Sequence, residues 1–109
     1  MTPALFLIQR LSAVVLAFAV AIHLATVLYA VRGGLTAAEI LGRTRGSAVF
    51  LVFYLLFVIA VAVHAPIGLR NIAREWTPWR GRGLDLAMAG VALALLALGL
   101  RAVVAVYAA

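Results

Sequence analysis

Three long apolar runs, separated by short stretches rich in arginine and glycine, organise this chain. The first extends roughly over residues 11–31, the second over 47–69 and the third over 84–107. Each has the roughly 20 residues that a helix needs to cross about 30 Å of hydrocarbon. Three strands cannot close a barrel, so helices are the only way to satisfy the backbone in lipid. The pattern predicts an all-α membrane protein, one transmembrane domain over residues 1–109. A short amphipathic lead-in covers residues 1–10, and Gly33–Gly34 breaks the chain after the first run. The second run is expected to end at Arg70, before a loop carrying Pro78.

Composition agrees with this pattern. Of the 109 residues, 68% are hydrophobic and 11% charged, and a soluble domain of this length could not hide so much apolar surface from water. The first run is about as long as a full span and is followed by two more, so it reads as a retained helix rather than a cleaved signal. With no cysteine, the chain offers no disulfide, no cluster ligand and no thiolate zinc site. The net charge of +6 comes from nine arginines without a lysine. They sit mostly at the ends of apolar runs, where membrane topology accounts for them without a nucleic-acid partner. Arg10, Arg70, Arg74, Arg80 and Arg82 flank one side and Arg32, Arg43 and Arg45 the other. Five against three favours an N-terminus and second loop in the cytoplasm; an inner-membrane location in a bacterium is the expectation for the chain.

Both histidines, His23 and His64, fall inside predicted spans. Ionisable groups are costly in hydrocarbon and read first as functional. A neutral imidazole can give one ring nitrogen to a metal while the other N–H is held in place, and helix bundles hold haem with such inward side chains. The competing reading is a histidine that hydrogen-bonds a neighbouring helix. With Arg10 and Arg70 as markers of one face, His23 lies roughly 20 Å deep and His64 roughly 9 Å, at 1.5 Å per residue. One haem shared by these two histidines therefore fits poorly, and each needs a partner histidine from another chain. Ala19 and Ala60, four residues before the histidines, and Gly68, four after His64, leave room on the same helix faces. Pro66 is expected to bend the second helix.

The segment H-A-P-I-G-L-R-N-I-A-R-E-W, from His64 to Trp76, resembles the His-x-x-x-Gly-[Ile/Leu]-Arg motif of the cytochrome b membrane anchors of succinate dehydrogenase and fumarate reductase. Q-R-L-S-A, from Gln9 to Ala13, resembles the [His/Gln]-Arg-x-Ser-Gly segment of the same family, with alanine in place of the glycine. The resemblance implies that His64 ligates haem b, that Arg70 serves the propionates or the quinone, and that Arg10 and Ser12, with Gln9 and Trp76 nearby, line a quinone pocket. The spacing of His23 from Ser12 is similar to that of the first-helix ligand in two-haem anchors, where one five-helix chain supplies four histidines. A three-helix chain with two histidines is half of such a set, so the haem-binding core, of four-helix type, would be completed by a second anchor subunit or a second copy of the chain. The same resemblance implies a flavoprotein subunit and an iron–sulfur subunit as further partners, with quinone as the electron acceptor or donor.

Other classes stay open at this stage. A haem b subunit of another respiratory dehydrogenase or hydrogenase would share the helix histidines. A small transporter would want a midplane acid, whereas Glu39, Glu75 and Asp85 lie at loops or helix ends. A cofactor-free anchor would show no visible absorption. Trp76 and Trp79 also suit an interfacial belt, and Arg101 could snorkel or meet a propionate near the outer face.

Overall fold

The computed structural model describes residues 2–109 and is helical throughout, with no strand among them. Helix α1 spans Pro3–Gly33, α2 Ala37–Thr44, α3 Ala48–Trp76 and α4 Arg82–Ala108. Three of these, α1, α3 and α4, are long and apolar enough to cross a membrane. The bundle is 49 Å long and 23 × 22 Å across, so its ends extend past a hydrocarbon core of about 30 Å. Helices α1 and α4 start at one end of the bundle, where α3 finishes. This is the amino-terminal end of the bundle.

Local chemistry sets the helix boundaries. Thr2 caps α1 by accepting from the Leu5 N–H at 3.2 Å, and Pro3 stands at the first helical position, where its missing donor costs nothing. Ser47 caps α3 in the same way, its hydroxyl accepting from Phe50. The ends differ from the sequence expectation in one direction. The lead-in is not a separate segment but the first two turns of α1, and α3 runs six residues beyond Arg70 to Trp76. Hydropathy marks where hydrocarbon ends, whereas the hydrogen-bond ladder continues through polar helix formers such as Arg74 and Glu75. Helix α3 also continues through Pro66, which is buried.

The stretch after Gly34 forms α2, an element the apolar pattern does not reveal. Its start is a capping box: the Glu39 N–H donates to Thr36 Oγ1 at 3.2 Å, and the Thr36 hydroxyl donates to the Glu39 carboxylate at 2.7 Å. Gly34, at φ +123°, turns the chain between α1 and α2, and the Glu39 carboxylate fills the space a Cβ would take there. Two of the last carbonyls of α4 are then satisfied from this segment. Thr44 Oγ1 donates to the Val106 carbonyl at 2.8 Å, and the Gly46 N–H donates to Tyr107 at 2.9 Å. Thus α2 folds over the far end of the bundle and ties α4 to it.

Helix α3 is central, packed on α1 along one side and on α4 along the other. The contact face of α1 is a single narrow seam: Leu5, Gln9, Ser12, Leu16, Ala19, His23, Thr26 and Ala30 are shielded, and every other residue of the helix is exposed. The steps of four and three residues average 3.5, the repeat of a left-handed helix pair. Four of these eight positions are polar. Outside the seam, large apolar residues such as Phe18 (69% exposed) and, on α4, Leu93 (68% exposed) face outward. In a chain of this kind those faces belong to lipid or to a partner.

At the amino-terminal end Arg70 Nε donates to Asp85 Oδ1 at 2.8 Å, joining α3 to the first turn of α4. Asp85 is 58% exposed, so water screens the pair, and its acidic charge also suits a helix start. We expect Asp85→Asn to lower stability by less than about 1 kcal/mol, read as a small shift in the thermal melting of the detergent-solubilised protein. A loss several times larger would contradict a screened surface pair.

Candidate functional site

The polar residues of the α1 seam fall into two groups at different levels. Near the amino-terminal end, Ser12 is buried (8% exposed) and its Oγ lies 3.1 Å from His64 Nδ1 on α3. The same hydroxyl donates to the backbone carbonyl of Gln9 at 3.1 Å, a serine bonding back one turn along its own helix. Gln9, one turn from Ser12, lays its amide against Gly68. A Cβ built on Gly68 would stand 3.4 Å from Gln9 Nε2. The Gln9 side-chain oxygen, Oε1, is sealed and has no partner among the described residues. Two segments more than fifty residues apart, around Ser12 and around His64, therefore meet in one cluster.

The cluster gathers some of the residues singled out from sequence and not others. Gln9, Ser12, His64 and Gly68 come together, with Gln9 occupying the room that Gly68 leaves. Arg10 does not join them. One residue on from Gln9 is a rotation of about 100°, which turns Arg10 outward, its guanidinium 5.5 Å from the centre of the Phe6 ring. Trp76, 81% exposed, lies at the last residue of α3, three turns beyond His64. Arg70 is on the inner side of α3 but is engaged by Asp85.

The second group surrounds His23. Its ring meets Tyr54 and Phe57 of α3 at steep interplanar angles of 79° and 82°, with centroids 6.0 and 5.6 Å away, the edge-to-face geometry aromatic rings prefer. His23 Nδ1 is sealed from solvent and makes no hydrogen bond among the described residues. Beside the ring is a cavity of about 300 Å³, walled by Phe57 and Val58 of α3 and Gly99 and Val103 of α4, and closed at the end by Ile40 and Thr44 of α2. Tyr54 and Thr44 belong to this group but carried no signal in the motifs. The available clues were that Tyr54 is a polar-tipped ring inside a span, and that T-x-x-E at Thr36–Glu39 announces a helix start.

The two levels are well separated. Ser12, level with His64, is eleven residues from His23 along α1, and Phe57 and Tyr54, level with His23, are seven and ten residues from His64 along α3. At 1.5 Å per residue the separation is on the order of 10–16 Å. This equals or exceeds the spacing expected from the arginines, because Arg10 lies two residues from Ser12 while Arg70 lies six from His64, so the two do not mark one level. Among the described residues no three His, Cys, Asp or Glu side chains come together. Comparison with protein-family models, with curated proteins and with solved structures finds no match to this chain.

Proposed function

We propose that this chain is a membrane-anchor cytochrome b subunit of a succinate dehydrogenase or fumarate reductase, linking a peripheral flavoprotein and iron–sulfur module to membrane quinone. One observation carries the reading: the Ser12–His64 contact brings together the two segments that resemble the family's haem and quinone motifs. When bound, haem b would supply one-electron redox chemistry. Of this chain, His64 would hold it. The ring has a partner on Nδ1, on the neighbouring helix, and a histidine that holds a metal is commonly fixed through its other nitrogen in this way. Each level of the bundle contains a single histidine, so a further ligand would come from a second anchor subunit or a second copy of the chain, seated on the exposed apolar faces. Arg10 at the outer surface, with the Gln9 amide N–H and Ser12 nearby, would bind quinone at the amino-terminal end of the bundle, which would face the cytoplasm from the inner membrane. Hydrogen-bond donors suit carbonyl oxygens that gain negative charge on reduction.

Purification of the tagged, full-length chain in mild detergent tests this directly. A flavoprotein and an iron–sulfur protein should co-purify with it. A partner set without a covalent or tightly held flavin would turn the reading toward a haem b subunit of a hydrogenase.

A second haem at the level of His23 is part of the proposal, supported by the separation of the two levels. His23 lacks the hydrogen-bonded Nδ1 that His64 has, and its ring is held by Tyr54 and Phe57 instead. The expected result is that His23→Ala removes one b-type component and leaves the component due to His64. A spectrum that is unchanged in the assembled variant would make His23 a packing residue of the α1–α3 seam.

A further inference from the structure

A neutral imidazole has one N–H and one lone pair, and the neighbour of one nitrogen decides what the other can do. The neighbour of His64 is Ser12, which comes from a different helix and is closed off from water. Its hydroxyl has a single proton. The Gln9 backbone carbonyl, 3.1 Å away on the same helix, can only accept, so the proton goes there. Ser12 Oγ then faces His64 Nδ1 at 3.1 Å with lone pairs alone, and a bond across that distance requires the imidazole to donate.

We infer that Ser12 is a positioning residue that holds His64 as the Nδ1–H tautomer, through the chain His64 Nδ1–H to Ser12 Oγ–H to the Gln9 carbonyl, leaving the lone pair on Nε2. This gives Ser12 a role that the motif resemblance does not, since the resemblance puts that serine beside quinone. The arrangement depends on the α1–α3 seam. Ser12 and Gln9 are one turn apart on α1, and only the face carrying both is turned toward α3. Packing of the two helices therefore prepares the imidazole before any ligand arrives. The reverse assignment, with Ser12 donating to His64 and the ring proton on Nε2, would break the bond to Gln9 and leave a nitrogen unable to ligate a metal.

The tautomer itself stands apart from the proposed function, and the test separates the two. Nitrogen-15 spectra of histidine-labelled full-length chain, haem-free in lipid nanodiscs, distinguish protonated from lone-pair ring nitrogens. For His64 we expect Nδ1 protonated and Nε2 bare. Ser12→Ala should shift the population toward Nε2–H, and Ser12→Thr, which keeps the hydroxyl, should restore it. A protonated Nε2 in the unaltered chain, or a Ser12→Ala spectrum identical to it, overturns the inference. A second readout uses the assembled complex. Hydrogen bonding to the distal nitrogen raises the basicity of an axial imidazole and favours ferric iron, so Ser12→Ala should raise the midpoint potential of one b-type component with haem content retained. The expected tautomer together with an unmoved potential would uphold the inference about Ser12 and overturn haem ligation by His64.

Discussion

His64→Leu is expected to abolish one b-type haem component in the assembled complex and to depress quinone reduction, while succinate oxidation with an artificial acceptor persists. The substitution is well suited to the purpose. Leucine fills much of the imidazole's volume at a half-buried position on α3, and volume-conserving changes in a packed interface cost little. It also strands no polar group, because the Ser12 hydroxyl keeps its bond to the Gln9 carbonyl. The helix pair should therefore survive the loss of the ligand, which separates a missing haem from a misfolded subunit. Loss of both activities together would point to failed assembly, and an unchanged haem content would remove His64 from the ligand set. Arg70 offers the internal comparison. It shares the motif but is engaged by Asp85, so Arg70→Gln should retain the haem component that His64→Leu loses.

The second large effect is structural and is expected at Gly99. A Cβ at this position would stand 2.5 Å from Val58 Cγ1 and 2.8 Å from Cγ2, well inside van der Waals contact. Val58 is β-branched and stiff on a helix, so it cannot swing away cheaply. A side chain here forces α4 off α3, along the seam that closes the cavity beside His23. Gly99→Leu should cost about 1–3 kcal/mol, the usual penalty for overpacking, and lower the thermal midpoint of the purified protein by several degrees. Gly99→Ala should cost less but in the same direction. Gly90, on the same helix, is the control, because nothing lies within 4 Å of the Cβ it would carry. There alanine should be neutral or slightly stabilising, since it is the better helix former. Equal effects at the two glycines would show that helix propensity, not the close approach to Val58, governs both.

The spans were legible because lipid demands long apolar helices and little else has that pattern. What hydropathy could not supply was the extent of each hydrogen-bond ladder, hence the longer α1 and α3, and the short α2, whose amphipathic eight residues carry too little apolar signal. Its capping box at Thr36 and Glu39 was nevertheless in the sequence. The candidate site was half legible. Gln9 and Ser12 stand three residues apart and share a face, whereas Arg10, grouped with them by motif, is rotated away from both. The polar positions 9, 12, 23 and 26 already follow the spacing of one helical seam, which would have placed His23 and Ser12 on the same side of α1. No single-helix pattern contains the axial shift that sets Ser12 level with His64 rather than one turn above or below it. That shift comes from how side chains on α1 and α3 interlock.

In the proposed function this chain would ligate haem in a complex that exchanges electrons between succinate and quinone. Visible difference spectroscopy of the purified complex, with succinate as the only reductant, tests it most directly. A b-type band should appear on adding succinate and be lost on adding oxidised quinone, with one component missing in His64→Leu. A complex that contains this chain and a succinate-reducible flavin but shows no b-type absorption would contradict it.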